Sequence, residues 1–241
     1  EGKDIYLLED NCESLGATLN GKQAGTFGVM GTYSSFFSHH ISTMEGGLIA
    51  TDDEELYHIL LSIRSHGWTR HLPKDNKVVE KSDNAFHESF RFVLPGYNVR
   101  PLDMSGALGK EQLRKLPAII SGRQENAKFF VETFSKIEGI SIQQETGNSS
   151  WFGFAIICDA GSEMRDKLVE ALTNEGVDCR PIVAGDFTKN EVMSYFDYEL
   201  HGEMKNASLI DNAGFFIGNH HYDVKEKLTS VAQLIEKTLK S

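Results

Sequence analysis

Apolar positions fall along this chain in short runs between glycine-rich turns, and in longer stretches with helical spacing. Ile5-Tyr6-Leu7-Leu8 is an apolar run ending in Glu9-Asp10, the pattern of a buried strand whose carboxyl end carries acids. Phe27–Val29, Thr32–Phe37 and Leu48–Ala50 read as further strands, the last preceded by Gly46-Gly47. Asp52-Asp53-Glu54-Glu55 opens a helix to about Ser65, its acids sitting where the positive end of the helix dipole favours them. Short strands alternating with helices and glycine-rich turns predict an α/β layer with a mainly parallel sheet. Residues 71–96 are charged and aperiodic, too long for a plain connection, which marks them as functional.

From Leu102 to Phe134 the spacing is helical, with Leu108, Leu113 and Leu116 on an apolar face and Pro117 predicting a kink or break. The chain is expected to divide there, into 1–116 and 117–241. Beyond it, Ile140–Gln143 and Trp151–Cys158 are strand-like, and Ser162–Asn174 is a helix that Gly176 ends. Val177–Val183 reads as a strand and Val224–Leu239 as an amphipathic helix, together a smaller α+β domain.

Composition narrows the partners. The 40% of hydrophobic residues supports a packed core. A net charge of −11 repels phosphate backbones, so no nucleic-acid partner is expected. No run approaches the ~18 apolar residues of a membrane span. Cys12, Cys158 and Cys179 form no CxxC pair and no zinc pattern, which predicts a reducing cytoplasm and no metal. The polar opening Glu1-Gly2-Lys3-Asp4 does not read as a secretory leader. Its place just before a buried-type strand predicts a further N-terminal portion.

Four groupings carry candidate chemistry: Glu9-Asp10-Asn11-Cys12-Glu13; Ser34–His40 followed by Glu45-Gly46-Gly47; Arg64–Arg70; and Gly96-Tyr97-Asn98-Val99-Arg100. Each alone has a plain explanation. Strand-end acids cap turns, Glu-Gly-Gly is a turn signal, and the adjacent His39 and His40 point apart and make a poor metal pair. His220-His221 is likewise read as structural or substrate-lining.

Together and in this order, the groupings resemble the sugar aminotransferases of pyridoxal-phosphate fold type I, the DegT/DnrJ/EryC1/StrS group, over essentially the whole chain. That group carries a strand-end Asp, then Ser-Phe-x-x-x-Lys with Gly-Gly downstream, then Gly-x-Asn-x-Arg. The resemblance implies that 1–116 is the C-terminal part of a large cofactor-binding domain and 117–241 the small domain. It implies pyridoxal or pyridoxamine phosphate as cofactor, with Asp10 at the ring nitrogen, Glu13 near the ring hydroxyl, Ser34 on the phosphate, and Asn98 reaching that phosphate across a homodimer interface.

The departure is His39, which stands where the family has its cofactor-binding lysine. Within the group, that replacement resembles the sugar 3-dehydratases. Imidazole cannot tether the cofactor covalently, but with an ordinary pKa of about 6.5 it moves protons near neutrality. The implied reaction removes the 3-hydroxyl of a nucleotide-linked 4-keto-6-deoxy sugar, with His39 as base and then acid, His66 as aid, and glutamate restoring the amine. Arg70 and Arg180 are candidates for the carboxylate of glutamate or a sugar oxygen. An iron–sulfur variant is disfavoured because only Cys12 lies near the site. An ordinary aminotransferase, which needs the lysine, and a non-catalytic relic of the fold are the rival readings.

Overall fold

The computed structural model describes residues 5–241, so the reading of Glu1–Asp4 lies outside the described residues. The chain divides into two compact units, one ending at Leu116 and the other spanning Pro117–Ser241.

The first unit contains β1 (Leu8–Asp10), β2 (Thr18–Leu19), β3 (Lys22–Gln23), β4 (Met30–Ser34), β5 (Gly47–Ala50), α1 (Glu54–Ile63), α2 (Ala85–Glu88) and the start of α3 (Asp103–Phe134). Its sheet runs β1-β4-β5. β1 pairs with β4 in parallel, Leu8 with Met30 and Asp10 with Thr32. β4 and β5 are antiparallel, with Ser34 opposite Gly47. The α/β class stands, but this sheet is mixed rather than mainly parallel. Parallel neighbours need a long crossover, which residues 11–29 supply from β1 to β4 without a helix, whereas the chain turns back after β4 and enters β5 beside it in the opposite direction.

The first strand begins later than the apolar run predicts: Ile5–Leu7 are exposed, and Leu7 O accepts from Val29 N at 2.9 Å in a turn, short of the β1–β4 ladder. Phe27–Val29 is a turn, not a strand. What orders it is Glu9, whose carboxylate accepts from Gly25 N at 2.7 Å and Gly28 N at 2.6 Å. Burial opposes its ionisation, yet the N–H groups of Gly28, Gly25 and Phe27 hold it below the usual carboxylate range. α1 matches expectation, capped by Asp53, which accepts from Leu56 N at 3.0 Å.

α3 passes through Pro117 without a break. Proline removes one N–H, and the neighbouring turns carry the helix past it. Leu108 and Leu113 are exposed, so the expected apolar face is not a buried one.

The second unit holds β6 (Ile140–Ile142), β7 (Gly153–Cys158), α4 (Ser162–Asn174), β8 (Cys179–Arg180), α5 (Lys205–Ala213), β9 (Gly214–Gly218) and α6 (Lys225–Leu239). Its antiparallel sheet is ordered β6-β7-β9-β8. Alternate residues of β7 and β9 face the helices, burying Phe154, Ile156, Phe215 and Ile217 with Leu168, Leu172, Val231 and Ile235. Phe130 of α3 stacks on Phe154 at 4.2 Å. Asn219 closes one end: its Nδ2 donates to Arg123 O and Trp151 O, and its Oδ1 accepts from Asn126 Nδ2.

Candidate active site

The parallel pairing of β1 with β4 sets two carboxyl ends side by side. Asp10 is in register with Thr32, and Ser34 follows two positions along β4, so all three side chains fall on one face of the sheet. The contact of Thr32 Oγ1 with Asp10 Oδ1 at 3.4 Å agrees with that placement. The Cys12 thiol and then the Cys12 N–H, 3.1 Å from Oδ1, hold the Asp10 carboxyl below its usual range. Asp10 is therefore an anion at the sheet end. Cys12 is pushed the other way, by burial and by its bond to Asp10, which keeps its thiol protonated and able to donate to that carboxylate.

Asn11 is buried and shapes the turn that follows. Its Nδ2 donates to Glu9 O at 3.1 Å and its Oδ1 accepts from Ser14 Oγ at 2.8 Å. Glu13 rides on that turn. Although its side chain is exposed, desolvation by the surrounding protein, and then the charge of Asp10, raises its carboxyl.

Ser34 ends β4 and starts the loop to β5. Its Oγ accepts from Phe36 N at 3.2 Å, which leaves the O–H as a donor for a ligand. The loop is clasped at its base: Thr43 N donates to Ser35 O at 2.8 Å, Ser35 N donates to Gly46 O at 3.0 Å, and the two hydroxyls of Ser35 and Thr43 lie 2.7 Å apart. His39 N donates to Phe36 O at 3.0 Å, and its half-buried ring meets Phe36 edge-on at 6.0 Å. Ser34 thus sets Phe36, and Phe36 sets His39. His40 is buried beside it, so the two imidazoles occupy different environments.

A second cluster forms around the turn after α1. Tyr97 N donates to Ile63 O at 2.7 Å, His66 N donates to Tyr97 O at 2.8 Å, and Val99 N donates to Arg64 O at 3.0 Å, with Ser65 bridged to Asn98. This pairing brings His66, Arg70 and Asn98 into one region. Asn98 is exposed and accepts from Arg100 Nε at 3.2 Å. Segment 71–96 is ordered by Glu88, which accepts from Ser82 N, Arg91 Nη1 and Thr69 Oγ1, each at 2.8 Å. The Ser82 N–H, then Arg91 and Thr69, bring its carboxyl down to about 2.

Arg180 belongs to the second unit and already has a carboxylate partner. Its Nε and Nη2 meet Asp178 Oδ2 at 3.2 and 2.9 Å. His220 Nδ1 accepts from His221 N at 3.0 Å and His220 O accepts from Asn126 Nδ2 at 2.9 Å, and no group of three or more metal-ligating side chains is found among the described residues. Thr32 and Glu88 are contributors that sequence reading did not single out. For Thr32 the available signal was strand alternation from Ser34. For Glu88 no pattern in the sequence marks it.

The ionised Asp10 and the Ser34 O–H, on one face of the sheet, are groups of the kind that a pyridinium ring and a phosphate need, while Asn98 lies in the separate cluster beside Ser65. The loop from Ser35 to Gly46 contains no lysine.

Comparison with known proteins points the same way. The model of the DegT/DnrJ/EryC1/StrS aminotransferase family matches residues 1–236. The chain is 60% identical over 240 residues to GDP-4-keto-6-deoxy-D-mannose 3-dehydratase of Yersinia pseudotuberculosis, covering 98% of this chain and 61% of that protein. It superposes on the E. coli GDP-4-keto-6-deoxy-D-mannose-3-dehydratase with bound hydrated PLP at a TM-score of 0.94 and 58% identity, over 97% of this chain and 61% of that one. Another structure of a GDP-4-keto-6-deoxymannose-3-dehydratase, holding a trapped adduct of PLP and glutamate, gives 0.94 and 57% over the same 97% and 61%. The chain therefore spans about 61% of the length of these relatives.

Proposed function

This chain belongs to the DegT/DnrJ/EryC1/StrS aminotransferase family, and from that premise we propose that it carries the chemistry of a pyridoxal-phosphate-dependent 3-dehydratase. The substrate read for it is a nucleotide-linked 4-keto-6-deoxy sugar, as the names of the relatives reported above give GDP-4-keto-6-deoxymannose, with glutamate as amino donor. The observation that carries this reading is the imidazole of His39 on a clasped, lysine-free loop directly after Ser34.

Bound at the sheet end, the coenzyme supplies an electron sink for the carbon that loses a proton. The Asp10 carboxylate, already ionised, holds the proton of the ring nitrogen. The Ser34 O–H donates to the phosphate, and Asn98 is assigned to the phosphate of a second subunit, which makes the protein a homodimer with a shared site. Glu13 is assigned to the ring hydroxyl. His39 Nδ1 is buried, so its proton traffic runs through Nε2. Nε2 takes the proton from the amine-bearing carbon and delivers one to the departing 3-hydroxyl, with His66 as the second acid. Arg70 receives the carboxylate of glutamate. Arg180 can serve an anion only by leaving Asp178.

We further propose that 1–116 is part of the large coenzyme-binding domain and 117–241 the small domain. A cytoplasmic location fits three free cysteines and the finding that no helix among the described residues is long and apolar enough to cross a membrane.

The test is mass spectrometry of the products from the full-length protein, coenzyme, glutamate and a panel of 4-keto nucleotide sugars. A 3-deoxy product with release of ammonia and 2-oxoglutarate is expected. An amino sugar would instead make it an aminotransferase, and no product from any sugar would make it a binding relic.

A further inference from the structure

The densest aromatic cluster in the first unit is centred on Trp68, to which the reading above gives no task. Its backbone is held on both sides. Trp68 N donates to Ser65 O at 3.1 Å, Trp68 O accepts from Ser62 Oγ at 3.1 Å, and Trp68 is bridged to Phe92. Gly67 before it has a φ of +79°, and a Cβ there would stand 1.7 Å from Leu94 O, so only glycine makes this turn. Phe92 lies tilted against the indole at 5.4 Å, Phe90 edge-on at 5.7 Å and His66 edge-on at 5.3 Å.

Cations close the cluster. The Arg70 guanidinium carbon stands 4.3 Å from the centre of the Trp68 ring and 5.3 Å from that of Phe90. The Arg100 guanidinium carbon is 5.9 Å from Trp68. Arg70 spends one donor, Nη2, on Ser89 O at 2.9 Å. Among the described residues no carboxylate lies within ion-pair distance of it. An arginine stacked on an indole, tied at one corner and lacking an anion, has the rest of its fork ready for one.

We propose that Trp68 is a positioning residue: its ring face holds the Arg70 guanidinium in the orientation that receives the carboxylate of glutamate. This rests on the role given to Arg70 above. Arginine otherwise loses much rotamer freedom when it binds an anion, and the stack removes that loss before the ligand arrives. The indole Nε1 is buried with no hydrogen-bond acceptor among the described residues, so the ring face, not the N–H, is what this position supplies.

The last point makes the substitution series decisive. Trp68→Phe keeps a ring and removes no hydrogen bond, whereas Trp68→Leu removes the ring. In the full-length holoenzyme, glutamate-driven conversion of the aldehyde to the amine form is followed by absorbance. Trp68→Leu should raise the half-saturating glutamate concentration about tenfold, within the roughly threefold to thirtyfold span of cation–π contacts. The limiting rate should stay within about twofold, and Trp68→Phe should recover most of the affinity. In an Arg70→Met background, Trp68→Leu should add less than about twofold, because the two changes remove one interaction. Multiplying losses, or equal damage from Phe and Leu, would overturn the proposal.

A second readout needs no activity. The rate of phenylglyoxal modification at Arg70, followed by peptide mass spectrometry, should rise several-fold in Trp68→Leu and stay near wild type in Trp68→Phe. Equal rates in all three proteins would show that the ring does not hold Arg70. Faster modification in Trp68→Leu from a protein that converts no glutamate would instead leave the positioning intact and refute the dehydratase reading.

Discussion

At the scale of single residues, the account divides labour between an anion that stays charged and an imidazole that changes charge. Asp10 is held ionised by the thiol and N–H of Cys12, and a ring nitrogen keeps its proton only beside such a charge. Asp10→Asn removes the charge while keeping the shape. The expected result is a fall in turnover by at least about two orders of magnitude, the scale of a lost charge in an active site, with the thermal midpoint little changed. A near-wild-type rate would remove Asp10 from the mechanism. Asp10, Ser34 and His39 could be singled out in the sequence because strand ends and the order of motifs leave a linear trace, and the fold puts Asp10 and Ser34 on one sheet face with His39 on the loop that follows. Thr32 was not legible as Asp10's neighbour until the parallel register was known, because cross-strand pairing has no such trace.

At the scale of elements, the segment after α1 is the part whose order depends most on one group. Glu88 joins Ser82, Arg91 and Thr69, and its carboxyl lies near 2, below the ordinary 4.5. A carboxyl depressed in the fold stabilises it fully above about 4.5 and loses that contribution as the pH falls towards 2. Protease cleavage within 71–91 should therefore rise over that acid window in the wild type. Glu88→Gln should show raised cleavage already at pH 7 and little further acid dependence. Equal cleavage of the two proteins at pH 7 would contradict the clasp.

The elements missed from the sequence share a physical cause. β9 is Gly-Phe-Phe-Ile-Gly, and its Gly214 caps α5 and opens the strand at once, so no loop separates helix from strand. β2 and β3 are two residues each and largely polar, although Asn20-Gly21 between them, both at positive φ, is the usual turn for such a hairpin. α1, α4 and α6 were readable because long amphipathic spacing with an acidic first turn is hard to mistake.

At the scale of the whole molecule, each unit has its own architecture, and the second is the one with a continuous core. Phe154 is fully buried between Phe130 and the helices on the sheet, so Phe154→Ala should destabilise that unit by about 3–5 kcal/mol in denaturant unfolding. A loss under about 1 kcal/mol would mean that the core is looser than its packing implies. The first unit presents Leu8, Leu48 and Ile49 to solvent, and the chain spans about 61% of the length of its relatives. Activity is accordingly a property to measure on the full-length protein.

The central claim is that an untethered coenzyme loses its proton to the imidazole of His39. The direct measurement is single-turnover dehydration of the 4-keto nucleotide sugar by full-length protein preloaded with the amine-form coenzyme, comparing wild type with His39→Asn. The account predicts that the variant still binds the coenzyme, seen by absorbance, while the rate falls by about 10²–10⁴, the contribution of a positioned acid–base group. Dehydration by His39→Asn within about tenfold of wild type would contradict it.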